Sequence, residues 1–453
     1  MSKINDRRAY FELIKKTVKE AQDYLLIGVD VAKEKCDACF MISSGRILNK
    51  HLKFENTKSG FEAFFDKIKQ YQQALSPELT VVGVETTGNY MIPLMQYLEQ
   101  KGVYVVMVAS LVTKRNRDTL DLTWNKNDVK DAWNVADCLK QGKVIYYAYP
   151  NDPYGDMRRL MTIYSKLSVE RACYRVRLQT NVLCITFPEF YKVFDYVDEL
   201  VPMTVLERYP LPSDIVKLSE AEFINDIVKN TDPTIKKSKL SRIYKLASES
   251  IGSTMEGESL CWETRFILRR IREIRETQEE IFEKVRRFTK ACPDYELLQT
   301  IPGVGPVLSA VMITAIGDID NYRSARQILK QAGMDLAQLQ SGRYTGDVRI
   351  SRRGKTSLRS AAFQAALVAS CHDNNLRLKY LQLLKEKKIL RGDKRKILVA
   401  IACKILRIVF AVMKSKQPYN DDYHALNKEK SVAFESGDKM ETVVDETSHV
   451  YFG

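Results

Sequence analysis

Tyr24-Leu-Leu-Ile-Gly-Val-Asp-Val-Ala-Lys-Glu-Lys-Cys-Asp-Ala-Cys-Phe40 is the stretch from which the fold is read. Its apolar run, Leu25 to Val29, reads as a buried strand, and Asp30 closes it. The chain turns polar at Lys33–Lys35 and resumes as a second strand through Cys39, Phe40 and Ile42. A carboxylate at the end of a buried strand needs a cation, a metal or dense hydrogen bonding to be held there. An Asp that only caps the following turn satisfies the same pattern, and for one isolated residue that is the simpler reading.

Two later sites repeat the pattern. Leu79-Thr-Val-Val-Gly-Val-Glu85 is a second buried run ending in a carboxylate. Asn125-Lys-Asn-Asp-Val-Lys-Asp-Ala-Trp-Asn-Val-Ala-Asp137 reads as a helix start. Asp128 and Asp131 are three residues apart there, so both project from one face of the first turn. The helix dipole favours negative charge in that turn, and an acidic first turn can serve that purpose alone. Asp137 lies nearly two turns further on and is the fallback candidate.

The elements between these sites follow from periodicity. Residues 8–23 read as a short helix and Ile47–Phe54 as a third strand. Ser59–Tyr71 reads as a helix with Phe61, Phe64, Phe65 and Ile68 on one face, Ile92–Lys101 as a helix, and Val103–Val108 as a strand. The order β-β-β-α-β-α-β predicts an α/β sheet with a leading meander, the ribonuclease-H-like arrangement. In such a sheet Asp30, Glu85, Asp128 and Asp131 converge. Four crowded carboxylates raise one another's pKa values unless a divalent cation is shared. Two Mg²⁺ ions about 4 Å apart are able to clamp a scissile phosphate.

The rest of the chain is mainly helical in pattern. Asp156–Thr186 shows near-heptad spacing and ends at Pro188. Phe266–Lys290 carries Ile267, Ile271, Ile274, Ile281, Val285 and Phe288 in a 4-3 repeat, with Gln278 at the missing position. That pattern predicts a coiled-coil seam, either as an antiparallel pair with 156–186 or as a dimer arm, with a plain core helix as the alternative. Residues 188–255 yield no assignment. Ile301-Pro-Gly-Val-Gly-Pro306 lies between two helical patterns and resembles a helix-hairpin-helix. Gly303 and Gly305 there would bring backbone N–H groups to DNA phosphates; a tight interhelical turn is the plainer option. Asn321–Gly333 reads as a helix, Leu339–Gly346 as a polar loop, and Ser351-Arg-Arg-Gly-Lys355 as a basic turn before an Ala-rich helix over Leu358–Ser370.

Composition narrows the partners. The 453-residue chain is 45% hydrophobic with a net charge of +14, which suits a multidomain globular protein with a polyanionic partner. Between Arg352 and Lys404 there are 14 Lys or Arg against three acids, so most of the excess sits beside the hairpin. Arg352, Arg353 and Lys355 are the leading nucleic-acid contacts. Nine scattered cysteines point to free thiols in a reducing compartment, and Cys36 and Cys39 lie in a predicted strand rather than a zinc knuckle. Four histidines argue against a His-based metal centre, so any metal is hard and oxygen-bound. No signal-peptide core or membrane span is visible, and a soluble, intracellular protein is expected.

Seven motifs occur in order: Gly28-Val-Asp-Val-Ala-Lys33, Gly83-Val-Glu-Thr-Thr-Gly-Asn-Tyr90, Asn127-Asp-Val-Lys-Asp-Ala132, the Pro-Gly-Val-Gly hairpin, Tyr322-Arg-Ser-Ala-Arg-Gln327, Gln340-Ser-Gly342 and Ile350-Ser-Arg-Arg-Gly-Lys355. With these the chain resembles the DEDD transposases of bacterial insertion sequences. That group pairs an N-terminal RuvC-like domain with a C-terminal serine-bearing transposase domain, and it includes the Piv-type DNA invertases and the bridge-RNA-guided recombinases.

The resemblance covers roughly residues 24–140 and 293–385. It implies a RuvC-like domain over 20–150, a helical coiled-coil region over 155–292 with an insertion at about 188–255, a C-terminal transposase domain over 293–415, and a flexible tail over 425–453. It also implies that Asp30, Glu85, Asp128 and Asp131 hold Mg²⁺, with Mn²⁺ as a substitute. Ser341 would be the nucleophile that forms a transient phosphoserine, ahead of Ser324 and Ser351. The implied partners are donor and target DNA, a guide RNA encoded by the element, and further copies in a homodimer or homotetramer. The implied location is the bacterial cytoplasm, at the nucleoid. Lys126-Asn-Asp128 stands where the family often has Lys-Thr-Asp, and Gly333-Met-Asp-Leu-Ala-Gln338 lacks a proline common before the serine. The competing readings are a hydrolytic RuvC-like nuclease or junction resolvase, an actin-like ATPase or sugar kinase, and a non-enzymatic DNA-binding protein.

Overall fold

The computed structural model describes residues 24–86, 88–120, 128–145, 153–231, 236–253, 257–289, 292–337, 340–341, 344–345, 348–372, 374–386 and 393–420. The predicted helix over 8–23 and the predicted flexible tail lie outside these. The chain divides into two compact units, Met1–Tyr149 and Pro150–Gly453.

The first unit is built on a five-stranded mixed sheet of order β3-β2-β1-β4-β5. Its strands are β1 (Tyr24–Val31), β2 (Lys35–Ile42), β3 (Ile47–Glu55), β4 (Leu79–Glu85) and β5 (Tyr104–Val108). The meander β1–β3 is antiparallel, and β1, β4 and β5 run parallel. Residues alternate between the two faces of each strand. Leu25, Ile27 and Val29 pack with Val82 and Val84 beneath α1 (Lys58–Leu75) and α2 (Met91–Gln100). Tyr24, Leu26 and Val81 pack on the other face against Ala132, Val135, Ala136 and Leu139 of α4 (Asp128–Lys140). Thr57 caps α1, its hydroxyl accepting from Gly60 N at 3.2 Å.

Helix α3 (Ser110–Leu120) has no counterpart in the sequence reading. Its buried residues are Thr113 and Asn116, so it lacks the apolar stripe that marks a helix, and polar bonds to α4 hold it instead. Asn116 Nδ2 donates to Asn134 Oδ1 at 2.9 Å and to Asp137 Oδ2 at 2.8 Å, and Asn134 Nδ2 donates to Thr113 O at 2.8 Å.

The second unit is helical. The long helices α5 (Pro153–Arg177) and α9 (Gly257–Thr289) run antiparallel: Met157 and Met161 pack with Ile281 and Val285 at one end, and the residues just after α5, Leu178 and Val182, pack with Ile267 and Ile271 at the other. The chain continues past α5 as a π-helical stretch, Leu178–Leu183. Gln278 fills the gap in the apolar repeat, donating to Ser168 Oγ at 2.7 Å and to Tyr164 O at 3.3 Å and accepting from Arg171 Nη1 at 3.2 Å. The unassigned stretch after Pro188 holds α6 (Leu200–Arg208), α7 (Glu220–Lys229) and α8 (Lys237–Ser248), which share a core with one end of the α5–α9 pair. At the other end α5 and α9 join the core of the C-terminal helices. These are α10 (Pro293–Gln299), α11 (Pro306–Ile316), α12 (Ala325–Gln331), α13 (Thr356–Ala369), α14 (Asn375–Glu386) and α15 (Asp393–Ser415). Four two-residue strands lie between α12 and α13: β6 (Leu336–Ala337) pairs β9 (Arg349–Ile350), and β7 (Gln340–Ser341) pairs β8 (Tyr344–Thr345). Among the described residues no helix is long and apolar enough to cross a membrane.

Candidate active site

The β1–β4 ladder ends at the pair Val29↔Val84, and the next residue on each strand is a carboxylate, Asp30 and Glu85. Both lie on the face that α4 covers. Two residues back, the register partners Gly28 and Gly83 fix that face. A Cβ on Gly28 would overlap the backbone of Ala132 and Ala136, and one on Gly83 would press on the Leu139 side chain. Paired glycines therefore let α4 lie against the sheet beside the two acids. Lys140, at the end of α4, reaches Gly45 in the β2–β3 turn, next to the start of β1, where Ser43 N donates to Tyr24 O at 3.2 Å. The helix runs against β1, so its first turn, with Asp128 and Asp131, points to the strand end that carries Asp30.

Asp131 is buried, and Arg117 Nη2 of α3 lies 2.7 Å from its Oδ1. The side chain of Asp128 is outside the described residues. Asp137, the fallback, belongs to the α3–α4 clamp: it accepts from Asn116 and, at 2.5 Å, from Gln141 Nε2. Asp30 and Glu85 are half-buried oxygen donors, a chemistry that fits a hard divalent cation. Among the described residues no group of three His, Cys, Asp or Glu side chains is close enough to hold a metal. The hard-cation fit thus rests on the donor types and on the Asp30–Glu85 register; one oxygen of Asp131 also pairs with Arg117.

One residue was missed. Asp37 of β2 is the register partner of Asp30, is 6% exposed, and receives a hydrogen bond from His51 Nε2 at 2.6 Å. Its signal was an acid inside an apolar strand, the same one that marked Asp30. Cys36 and Cys39 lie in the cores on opposite faces of the sheet, so the CxxC cannot close on one ion. Burial pushes the Cys36 thiol up to about 12, and the nearby Asp30 and Asp37 charges add to that.

In the second unit Ser341 is in β7, opposite Tyr344, and its side chain is outside the described residues. Ser324 is the N-cap of α12 without a side-chain capping bond, and Ser351 Oγ donates to Asp335 Oδ1. The hairpin glycines differ. Gly303, at φ 84°, is set against α13, where a Cβ would overlap Ala365 O, whereas Gly305 faces open space. Arg352 and Arg353 are exposed. Lys355 is exposed, but its ammonium caps the end of α11, with Nζ 2.6 Å from Ala315 O. Gln331 Nε2 donates to the same carbonyl at 3.1 Å, Arg158 Nε to Thr314 O at 3.0 Å, and Tyr322 OH to Ile316 O at 2.8 Å. Desolvation, with help from the Arg158 charge, lowers the Lys355 pKa to about 8.

Comparison with known proteins decides the family. The DEDD transposase model of IS110, described as a transposase, matches residues 27–188, and the model described as Transposase IS116/IS110/IS902 family matches residues 295–381. The chain belongs to the IS110/IS116 family of DEDD transposases. The first match holds the whole carboxylate set and the second the hairpin, Ser341 and the basic turn.

Relatives of the transposase include the IS116 uncharacterized 44.8 kDa protein of Streptomyces clavuligerus, 23% identical over 351 residues, 74% of this chain and 82% of the relative. The transposase for IS1111A of Coxiella burnetii is 31% identical over 176 residues, 38% of this chain and 47% of the relative. The pilin gene-inverting protein of Moraxella bovis is 31% identical over 129 residues, 28% of this chain and 39% of the relative. A transposase cuts and rejoins DNA, and the basic C-terminal window suits that polyanion.

Proposed function

We propose that this transposase cuts DNA strands with a RuvC-like carboxylate set, Asp30, Glu85, Asp128 and Asp131, that holds Mg²⁺ or Mn²⁺, and with Ser341 as nucleophile. The observation that carries the reading is the adjacency of Asp30 and Glu85 at the ends of neighbouring parallel strands, beside the first turn of α4. When bound, Mg²⁺ offsets the charge of the phosphate oxygens. Ser341 Oγ gives up its proton and bonds to phosphorus, the bond from phosphorus to a deoxyribose oxygen breaks, and that oxygen takes up a proton. Rejoining reverses these steps. Gly305, Arg352 and Arg353 meet DNA phosphates, while Gly303 and Lys355 build the turns beneath them. An RNA encoded by the element selects the sites, and two or four copies act together, with α5 and α9 forming coiled-coil arms. The protein works in the bacterial cytoplasm at the nucleoid.

The test is strand cleavage with Mg²⁺ on the element's junction DNA, with its flanking RNA supplied. Wild type, Asp30→Ala and Ser341→Ala are compared with and without protease digestion. A protein–DNA adduct that disappears in Ser341→Ala, with cutting also lost in Asp30→Ala, is expected. Free ends that persist in Ser341→Ala but vanish in Asp30→Ala would leave a metal nuclease without a serine step.

A further inference from the structure

We propose that Tyr90 is a substrate-contacting residue whose exposed ring stacks on an unpaired base of the DNA strand at the Asp30–Glu85 edge. The inference rests on reading that edge as the place where strands are cut. Tyr90 stands five residues after Glu85 and is 51% exposed, whereas Met91, the next residue, already lies in the core. A large aromatic ring held out of a core that begins at its neighbour is available for contact with a flat apolar partner.

The surrounding backbone is pinned. Asn56 Nδ2 donates to Ala32 O at 2.9 Å and reaches Tyr90 O at 3.5 Å. Asn56 N also donates to Glu34 O at 2.8 Å. Asn56 thus ties together the two loops that leave the carboxylates, one after Asp30 and one after Glu85. On the Glu85 side, Thr86 N donates to Val108 O at 3.1 Å and Ser110 N to Thr86 Oγ1 at 3.2 Å, which anchors the loop start to β5 and α3. Gly88, at φ 73°, bends the loop, and Tyr90 Cδ2 lies 3.9 Å from the position a Cβ on Gly88 would take. The ring thus stands between a backbone carbonyl that Asn56 meets and the anchored start of the loop at Thr86.

Bases have π-faces whatever their sequence, so a stacking ring grips an unpaired strand without reading it. That suits a site whose sequence choice is made elsewhere. The hydroxyl is not required, which separates stacking from a proton-transfer or hydrogen-bonding role.

The experiment uses the full chain in EDTA, so that no strand is cut. Single-stranded oligonucleotides from the element's end, each carrying one 2-aminopurine, are titrated with wild type, Tyr90→Phe and Tyr90→Leu. Wild type and Tyr90→Phe are expected to quench the probe at one position. Tyr90→Leu, which keeps bulk without a π-face, should lose that quench and bind about tenfold more weakly, with the salt dependence of binding unchanged because no phosphate contact is removed. Wild-type quenching and affinity in Tyr90→Leu, or an equal loss in Tyr90→Phe, would overturn the proposal. If quenching depends on Tyr90 but wild type cuts no junction DNA when Mg²⁺ and the flanking RNA are supplied, the cutting assignment fails and the stacking contact stands. If wild type cuts and Tyr90→Leu quenches as wild type does, the stacking contact alone fails.

Discussion

Arg117 Nη2 lies 2.7 Å from Asp131 Oδ1, and the carboxylate it holds is 6% exposed. A member of the carboxylate set is thus paired with a cation from the neighbouring helix. Removing one partner of a buried pair leaves the other charge uncompensated. Arg117→Ala is expected to lower stability by about 3 kcal/mol in urea unfolding. A loss under about 1 kcal/mol would mean that water replaces the guanidinium, as at an exposed pair.

The paired glycines under α4 give unequal outcomes. Gly28→Ala sets a methyl group against helix backbone, which cannot move without lifting α4. Gly83→Ala meets the flexible end of Leu139. Overpacking costs about 3 kcal/mol at the first and about 1 kcal/mol at the second. Thermal melts of the two variants check the ranking, and Gly28→Ala should also lose strand cleavage, since the first turn of α4 would shift from Asp30.

Asp137 and Asp30 should separate stability from chemistry. Asp137→Ala removes an acceptor shared by Asn116 and Gln141, whose amides keep Asn134 Oδ1 and Asn116 Oδ1 as partners, and is expected to cost about 1 kcal/mol, with cleavage retained in the folded fraction. Asp30→Ala should abolish cleavage in the folded fraction. Cleavage lost in Asp137→Ala at temperatures where it is folded would move Asp137 into the metal-holding set.

Lys355 gives a pH signature. Its folded pKa is lowered from the ordinary 10.5 to about 8, so between those values the unfolded chain binds the extra proton. Stability then rises with pH across that window, and the cost of holding the ammonium against Ala315 O is fully present below pH 8. Urea midpoints from pH 7.5 to 10 should climb more in wild type than in Lys355→Met. Parallel curves would place the Lys355 pKa at its ordinary value.

The sheet was legible because its strands are short apolar runs bounded by charge, and Leu79–Glu85 appears with the bounds read from sequence. Asp30 and Glu85 were legible as acids ending such runs. Asp37 was not, because its strand was judged by its cysteines. Helix α3 escaped because its inward face is Thr113 and Asn116, whose partners are 18 to 27 residues away in sequence. The stretch after Pro188 escaped because each helix there offers only a few apolar residues, such as Phe223 and Ile227 of α7, to a core completed by α9. Gly303 and Gly305 looked alike in sequence, and only the position of α13 distinguishes a glycine needed for packing from one open to a ligand.

The polar layer at Gln278 acts as a ruler. Its amide is satisfied by Tyr164, Ser168 and Arg171 together, so sliding α5 past α9 by one turn would leave a buried amide stranded. A purely aliphatic seam tolerates such slippage far better. The two cores at the ends of this strut are therefore held at one separation. The helices after Pro188 are free to change sequence, or to be exchanged for another fold, without disturbing where the strut meets the C-terminal core.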